Sequence, residues 1–399
     1  MHFFGHLEPY AGDPILGLNE AYQADARPQK VNLSIGIYFD DAGRIPVLES
    51  VRRAEAAMLA ESGPKPYLPM EGAATARAAV QALLFGADHA ALAAGRVATL
   101  QAVGSSGGLK VGADLVRRWL PASEVWISDP SWENHRAMFE GAGLAVHTYP
   151  YHDAASGGVR FDAMCEALDA LPARSVVLLH ACCHNPTGVD LTREQWRALV
   201  PILRERALLP FLDLAYQGYG EGIAEDAFAP RLLADAGLGF LIVNSFSKSM
   251  SVYGERAGAL SVVCADRAEA ELVLGQLKAP VRRNYSSPPM HAAGIVGRVL
   301  GEPALRSLWE SEVGAMRERI LAMRRRLHAG LSARKPGHDF GFLLRQRGMF
   351  SYTGLTPAQV DRLRETYAVY LLRSGRICVA GLNGGNVERT AEAIAAVID

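Results

Sequence analysis

The chain has 399 residues, of which 49% are hydrophobic and 21% charged, and its formal net charge is −1. At about 150 residues per domain that length predicts two or three domains, and the apolar content suffices for a large core, which excludes a disordered chain. A near-neutral chain carries no electrostatic signature for nucleic acid or an acidic membrane surface. Only six lysines occur (Lys30, Lys65, Lys110, Lys248, Lys278 and Lys335) beside 35 arginines. Arginine is effectively never deprotonated, so any amine chemistry must use one of those six. The five cysteines (Cys165, Cys182, Cys183, Cys264, Cys378) do not make a disulfide framework in a chain this long. Met1-His2-Phe3-Phe4-Gly5-His6 has no cationic start followed by a long apolar run, and no apolar stretch is long enough to span a membrane. The expectation is a cytoplasmic protein without nucleic-acid or membrane partners.

Along the chain, the first 45 residues read as an arm plus one strand that joins a small C-terminal unit. Val97–Val103 reads as a strand, 104–108 as a loop and 109–120 as a helix. Residues 124–128 form a strand ending at Asp129-Pro130, and 175–180 another that breaks at Asn185-Pro186-Thr187-Gly188. Residues 208–212, 239–243 and 259–264 are short buried-strand candidates. Strands separated by helices predict an α/β fold, a mostly parallel sheet covered on both faces. From Pro303 to about Leu331, Leu305, Leu308, Trp309, Val313, Met316, Ile320 and Met323 recur at helical spacing. This predicts one long amphipathic helix, a spine leading to a smaller α+β unit over 340–399. The expected division is an N-terminal arm (1–45), a large domain (46–305) and a small C-terminal domain (306–399).

Leu241-Ile242-Val243-Asn244-Ser245-Phe246-Ser247-Lys248 runs from an apolar strand into a serine-rich turn, and Arg256 follows eight residues later. One amine, several hydroxyls and a guanidinium at one strand end suit an aldehyde cofactor carrying a phosphate. The amine condenses with the aldehyde, while hydroxyls and Arg256 hold the phosphate. A surface turn with a solvated lysine is the alternative. Asp213 stands at the end of another apolar strand, where it either caps a turn or meets a cationic partner, since an unpaired carboxylate there is costly. Gly104-Ser105-Ser106-Gly107-Gly108 lies between a strand and a helix, and fits a flexible loop or an anion site at a helix N-terminus. It has neither Walker spacing nor the Gly-x-Gly-x-x-Gly dinucleotide fingerprint.

Ser245-Phe246-Ser247-Lys248 followed by Tyr253-Gly254-Glu255-Arg256-Ala257-Gly258 resembles the lysine segment of class I aminotransferases, in their aspartate and aromatic-amino-acid branch. The resemblance extends from Asp13-Pro14-Ile15-Leu16-Gly17 to Gly375-Arg376. It implies the fold type I architecture of enzymes that use pyridoxal 5′-phosphate (PLP), with a seven-stranded, mostly parallel large-domain sheet and a smaller α+β domain. It implies PLP joined to Lys248, with Asp213 against the pyridine nitrogen and Tyr216 on the ring oxygen. His135 and His180 polarise Asp213, and Trp132 stacks on the ring. Ser105, Ser106, Gly107, Ser245, Ser247 and Arg256 cradle the phosphate, and Asn185 bonds both ring oxygen and substrate carboxylate.

The resemblance also assigns Arg376, with Gly36 and Phe350 beside it, to the substrate α-carboxylate. Arg282 takes the distal carboxylate of aspartate or glutamate. It implies a homodimer in which Tyr67 and Arg282 reach the neighbouring site. Around the pocket, Ile37, Phe39, Ile45, Pro66, Ser106 and Ser287 depart from the strict aspartate pattern toward apolar or smaller residues. The implied function is transfer of the α-amino group between tyrosine or phenylalanine, aspartate, and 2-oxoglutarate/glutamate, by a ping-pong mechanism. The alternative is an aspartate aminotransferase with little aromatic activity. More distant rivals are another PLP enzyme of this fold, such as a decarboxylase or lyase, and a PLP-sensing regulator, which lacks a visible DNA-binding segment here. A Rossmann oxidoreductase is opposed by the missing fingerprint.

Overall fold

A computed structural model describes residues 3–9, 12–154 and 156–398. The elements that build and support the site are, in chain order, α1 (Pro14–Ala24), β1 (Val31–Asn32), β2 (Val97–Val103), α2 (Gly104–Trp119), β3 (Val125–Asp129), α3 (Glu133–Glu140), β4 (Val146–Pro150), β5 (Val176–His180), β6 (Leu209–Leu214), β7 (Phe240–Ser245), β8 (Ala257–Val263), α4 (Arg267–Asn284), α5 (Pro303–Arg334), β9 (Phe350–Tyr352), β10 (Val369–Tyr370), β11 (Arg376–Cys378) and α6 (Val387–Val397).

Seven strands pair in the order β2-β8-β7-β6-β5-β3-β4. Only β8 runs against its neighbours, β2 and β7, and the remaining pairings are parallel. The central strands are apolar runs because helices cover both faces. On one face Phe211, Leu241 and Val243 pack under Leu109 and Val111 of α2 and Leu277 of α4. On the other, Leu212, Leu214 and Ile242 pack with Trp196 and Leu199.

Three expectations shift. The segment read as a loop, 104–108, is the first turn and a half of α2. Its glycines serve packing: a Cβ on Gly108 would come within 2.9 Å of Val243 Cγ1, and one on Gly112 within 2.5 Å of the Phe211 ring. Second, β6 and β7 continue through Leu214 and Ser245, beyond their apolar runs. Asp213 and Asn244 break the hydrophobic pattern but keep their ladder partners, Val243 and Leu214. Third, the N-terminal arm contains a helix. Asp13 caps α1, its Oδ1 accepting from the N–H groups of Ile15 and Leu16 at 2.8 and 2.9 Å; a side-chain oxygen at that position satisfies free helix donors.

The long helix α5 covers 32 residues and buries Leu305, Trp309, Val313, Met316, Ile320 and Met323 on one side. Beyond it, β9 pairs with β11, and β1 crosses from the N-terminal arm to pair in parallel with β10. α6 lies along α5 where Gly330 meets Ala391.

The close approach of α2 to the sheet is testable with Gly112→Val. Overpacking at that contact should cost about 1–3 kcal/mol, lowering the urea midpoint at constant slope. An unchanged midpoint would mean that the helix does not sit against Phe211.

Candidate active site

Because β2, β3, β5, β6 and β7 run in one direction, their C-terminal ends share one edge of the sheet, the usual place for a ligand crevice in such folds. The chain leaves β7 at Ser245, turns through Lys248 and a short 3₁₀ turn at Tyr253–Glu255, and returns as β8, with Gly258 opposite Ser245. This reversal sets Lys248, Ser245, Ser247 and Arg256 at one strand end. A cavity of about 210 Å³ opens there. Its lining includes Gly36, Ser105, Ser106, Trp132, His180, Asn185, Asp213, Tyr216, Ser245, Ser247, Lys248, Arg256, Phe350 and Arg376.

Lys248 Nζ lies 4.9 Å from the centroid of the Tyr216 ring. Burial, aided by Arg256 and Arg376 and opposed by Asp213, pushes the amine down to about 8. Asp213 is buried. Burial alone would raise its carboxyl, but the hydrogen bond from His135 and the cationic groups nearby outweigh that and hold it below the usual carboxylate range. An ionised carboxylate only accepts, so His135 Nε2 donates to Asp213 Oδ2 at 3.0 Å, while Nδ1 shares a hydrogen bond with Ser131 Oγ at 2.9 Å. Asp213 Oδ1 is buried without a partner, so one strong acceptor remains for a donor from outside the chain. His180 packs 5.1 Å from His135, ring to ring. Burial and its neighbour His135 push His180 down to about 3, so it stays uncharged.

At the other end of the cavity, Arg256 holds a left-handed backbone (φ 56°). Its Nη1 donates to Ser247 Oγ at 3.4 Å and to the Tyr253 carbonyl at 3.0 Å. The Gly104 N–H donates to the Arg256 carbonyl at 2.7 Å. Gly104 has φ +66°, and a Cβ there would reach to 2.5 Å from Arg256 Nη2. The glycine therefore lets the start of α2 and the guanidinium share one corner. Hydroxyls of Ser105, Ser106, Ser245 and Ser247 and the unsatisfied N–H groups of α2 make that corner an anion receptor.

Arg376 is 1% exposed. Its Nη2 donates to the Ser34 carbonyl at 2.7 Å and its Nη1 to Asn185 Oδ1 at 3.2 Å. The Phe350 ring lies 4.4 Å from its Cζ, and burial lowers its proton affinity. Both of these acceptors are neutral, so this guanidinium is a buried cation awaiting an anion.

Several expected members lie elsewhere. Gly107 is inside α2 against Val103 and does not line the cavity. Ile37, Phe39 and Ile45 line a separate, wider groove with residues of α1 and the 381–392 segment. Ile35, Ile37 and Phe39 share that groove while Gly36 faces the cavity, the alternation of an extended chain. Pro66 and Tyr67 are on the surface, Tyr67 being 92% exposed. Arg282 is also exposed and donates to Ser286 Oγ, and Ser287 is half-buried outside the cavity. Conversely, Ile15, Ala215 and Tyr253 line the cavity without having been singled out. Tyr253 OH accepts the Tyr38 N–H at 2.9 Å. Ile15 and Tyr253 sat inside motifs already noted and Ala215 beside Tyr216, but nothing in residue type separated them from packing positions.

The family model for aminotransferase class I and II matches residues 28–394. The aromatic-amino-acid aminotransferase of Escherichia coli (strain K12) is 58% identical over 396 residues, 99% of this chain and 100% of that one. The aspartate aminotransferase of Pseudomonas aeruginosa is 54% identical over the full length of both. Among solved structures, an aromatic-amino-acid aminotransferase from Burkholderia pseudomallei, covalently bound to pyridoxal phosphate, superposes with a TM-score of 0.98 at 53% identity, covering 100% of both chains. The fold is therefore that of the fold type I α/β enzymes. Within that class the chain belongs to the class I and II aminotransferase family. Among the described residues, no helix is long and apolar enough to cross a membrane.

The depressed lysine gives a pH test on the ligand-free chain. Lys248 should react with an acylating reagent with a midpoint near 8, read by mass spectrometry of the labelled peptide. Below that pH the amine is protonated and unreactive. Because the folded value lies under the roughly 10.4 of a free lysine, the unfolded chain binds more protons between the two, and this group adds stability as pH rises through that window. A midpoint near that of a free lysine would show that the amine is not desolvated.

Proposed function

We propose that this chain is a PLP-dependent aminotransferase that moves the α-amino group between tyrosine or phenylalanine, aspartate, and the 2-oxoglutarate/glutamate pair, in two half-reactions. The observation that carries the reading is one cavity holding a desolvated lysine, a buried carboxylate with a free oxygen, and two separate cationic anion receptors. The donor set fits PLP: Asp213 Oδ1 is the acceptor for a pyridine N–H, Lys248 the amine for the aldehyde, and the Ser105, Ser106, Ser245, Ser247 and Arg256 corner the receptor for the phosphate. Trp132 would stack on the ring, and Asn185 and Tyr216 would bond its oxygen. When bound, PLP supplies an aldehyde for amine exchange and a protonated ring that draws electrons from the substrate α-carbon.

The chain's own residues do the rest. Asp213, aligned by His135, keeps a negative charge against the ring nitrogen. Arg376 with Asn185 fixes the substrate α-carboxylate, which holds the α-hydrogen at a constant place whatever the side chain. Lys248 Nζ, as a free amine, would take the substrate α-proton as a general base and, as the resulting ammonium, would serve as the acid that delivers it to the cofactor side. An ordinary lysine is protonated at neutral pH, and desolvation shifts this one toward the working range. Ile15, Trp132, Tyr216 and Phe350 exclude water from the apolar side of the cavity.

Aromatic substrates are favoured by these four apolar and aromatic walls and by the name of the 58% identical relative. A second reading, an aspartate aminotransferase with little aromatic activity, is favoured by the name of the 54% identical relative and by Ile37, Phe39 and Ile45 lining the other groove. Arg282 and Tyr67 belong to the same proposal as contributions to a neighbouring copy's site in a homodimer, consistent with their exposure in one chain. The division at 305/306, within the first turn of α5, the spine of a small domain, and a cytoplasmic location complete the reading.

Single-turnover half-reactions with tyrosine, phenylalanine, aspartate and glutamate decide between the two readings, because the full cycle needs a dicarboxylate either way. Lys248→Ala should abolish turnover with every donor, and retained transamination would overturn the assignment. Arg282→Leu should cost the dicarboxylates about 2–5 kcal/mol, roughly thirty-fold to several thousand-fold in kcat/KM, by removing a charge-assisted pair. Tyrosine and phenylalanine should lose about tenfold or less, since their binding rests on buried area. Equal losses would make Arg282 a structural residue.

A further inference from the structure

One fully buried cation plays no part in the chemistry above. Arg324, on α5, is 1% exposed, and its hydrogen bonds all go to neutral acceptors. Nη1 donates to the Leu343 carbonyl and Ser351 Oγ, and Nη2 to the carbonyls of Gly348 and Phe350. Burial pushes this guanidinium down to about 10. A buried charge held only by neutral dipoles is costly, so what it organises matters. All four acceptors belong to one stretch, 343–351.

The far side of that stretch is held by the large-domain loop that carries Asn185. The Arg347 N–H donates to the Gly188 carbonyl at 2.6 Å, and a Cβ on Gly188 would come within 2.5 Å of the Phe350 carbonyl oxygen. The Phe350 ring in turn lies 4.4 Å from Arg376 Cζ and edge-on to Tyr216 at 5.7 Å. It also fills the space beside Gly36, where a Cβ would approach its Cζ to 2.8 Å. Residues 347–351 are thus a splint, clamped between Gly188 and α5, and the splint carries the ring against which Arg376 rests.

We propose that Arg324 is a positioning residue for the α-carboxylate receptor: by clamping residues 348–351 it fixes Phe350, and through Phe350 the alignment of Arg376 with Asn185. The inference rests on the reading of Arg376 as the carboxylate site. The planar fork explains the residue type. Two terminal nitrogens serve two acceptors each, whereas a lysine has three donors on a single nitrogen and cannot span four.

The test uses the PLP-loaded protein and 3-phenylpropionate, which has a carboxylate and a ring but no amine to react. Calorimetry gives its Kd for wild type, Arg324→Lys, Arg324→Met and Ser351→Ala. Misplacement of the receptor should raise Kd about 10- to 100-fold in both Arg324 variants, with KM for tyrosine rising in parallel and kcat changing much less. Affinity of the ligand-free protein for PLP, whose charged contacts at Asp213 and the serine–Arg256 corner lie apart from the splint, should stay within about threefold. A merely structural arginine would lower the unfolding temperature and leave the carboxylate Kd where it was, and that result in a folded Arg324 variant overturns the proposal. Ser351→Ala removes one neutral acceptor and keeps the test open if the Arg324 variants do not fold: a Kd raised by about threefold or more supports the clamp, and an unchanged Kd overturns it. If wild type itself fails to bind 3-phenylpropionate, or Arg376→Lys binds it equally well, the reading of Arg376 falls and the inference with it.

Discussion

The site rests on an imbalance of charge around one cavity. Among the described residues, the cavity at the strand ends is lined by three cations, Lys248, Arg256 and Arg376, and by a single carboxylate, Asp213. A chain with a net charge of −1 has ample acid to neutralise them, yet places its other carboxylates elsewhere. A buried cation with neutral partners, such as Arg376, lowers stability, and the cost is recovered only when an anion arrives. The two arginines stand at separate ends, so the cavity is prepared for two separate anions. Asp213 with its unpartnered oxygen is prepared for a cationic or protonated donor between them. This pattern matches one ligand with a phosphate and a basic ring nitrogen, and a second with a carboxylate.

The topology delivers that imbalance from a few short connections. The antiparallel return of β8 puts Arg256 beside the serines that precede Lys248. The parallel strands β5 and β6 bring His180 level with Asp213, which pair across the ladder. Gly104 gives the turn that lets α2 begin against Arg256. Arg376 comes from the far end of the sequence, on β11, and reaches the cavity because the N-terminal arm and the C-terminal strands share a small pairing at β1 and β10. Its contacts with Ser34 and Asn185 therefore join three segments distant in the chain.

Much of this was legible in the sequence, and the failures have physical causes. The sheet strands were visible as apolar runs, and their ends were misjudged where polar functional residues such as Asp213 and Asn244 stay in the ladder. The helical start at Gly104 was hidden because glycine signals a loop by propensity, whereas here it serves close packing on Val243 and Phe211. Lys248, Asp213, Asn185, Arg256 and Arg376 were legible because each is a chemically distinctive type inside a motif, and all five line one cavity. Ile37, Phe39 and Ile45 failed because an extended segment sends alternate residues to opposite sides, and no periodicity tells which side holds the ligand. Arg324 could not be singled out among 35 arginines, since only burial distinguishes it.

The distribution of contacts bears on how one enzyme treats several amino acids alike. Every amino acid presents the same α-amino and α-carboxylate groups, and the residues suited to them, Lys248, Asn185 and Arg376, all line the cavity within one chain. Side chains differ, and the proposed discriminator of their charge, Arg282, lies on the surface with a long flexible stem. A buried, hydrogen-bonded guanidinium such as Arg376 is rigid and sets reaction geometry, whereas Arg282, bonded within its own chain to Ser286, is offered to the neighbouring copy on a long stem that can turn toward a carboxylate or away from a ring. Uniform positioning of the reacting atoms then rests on groups fixed within one chain, and variable treatment of the side chain on a group from the neighbouring copy.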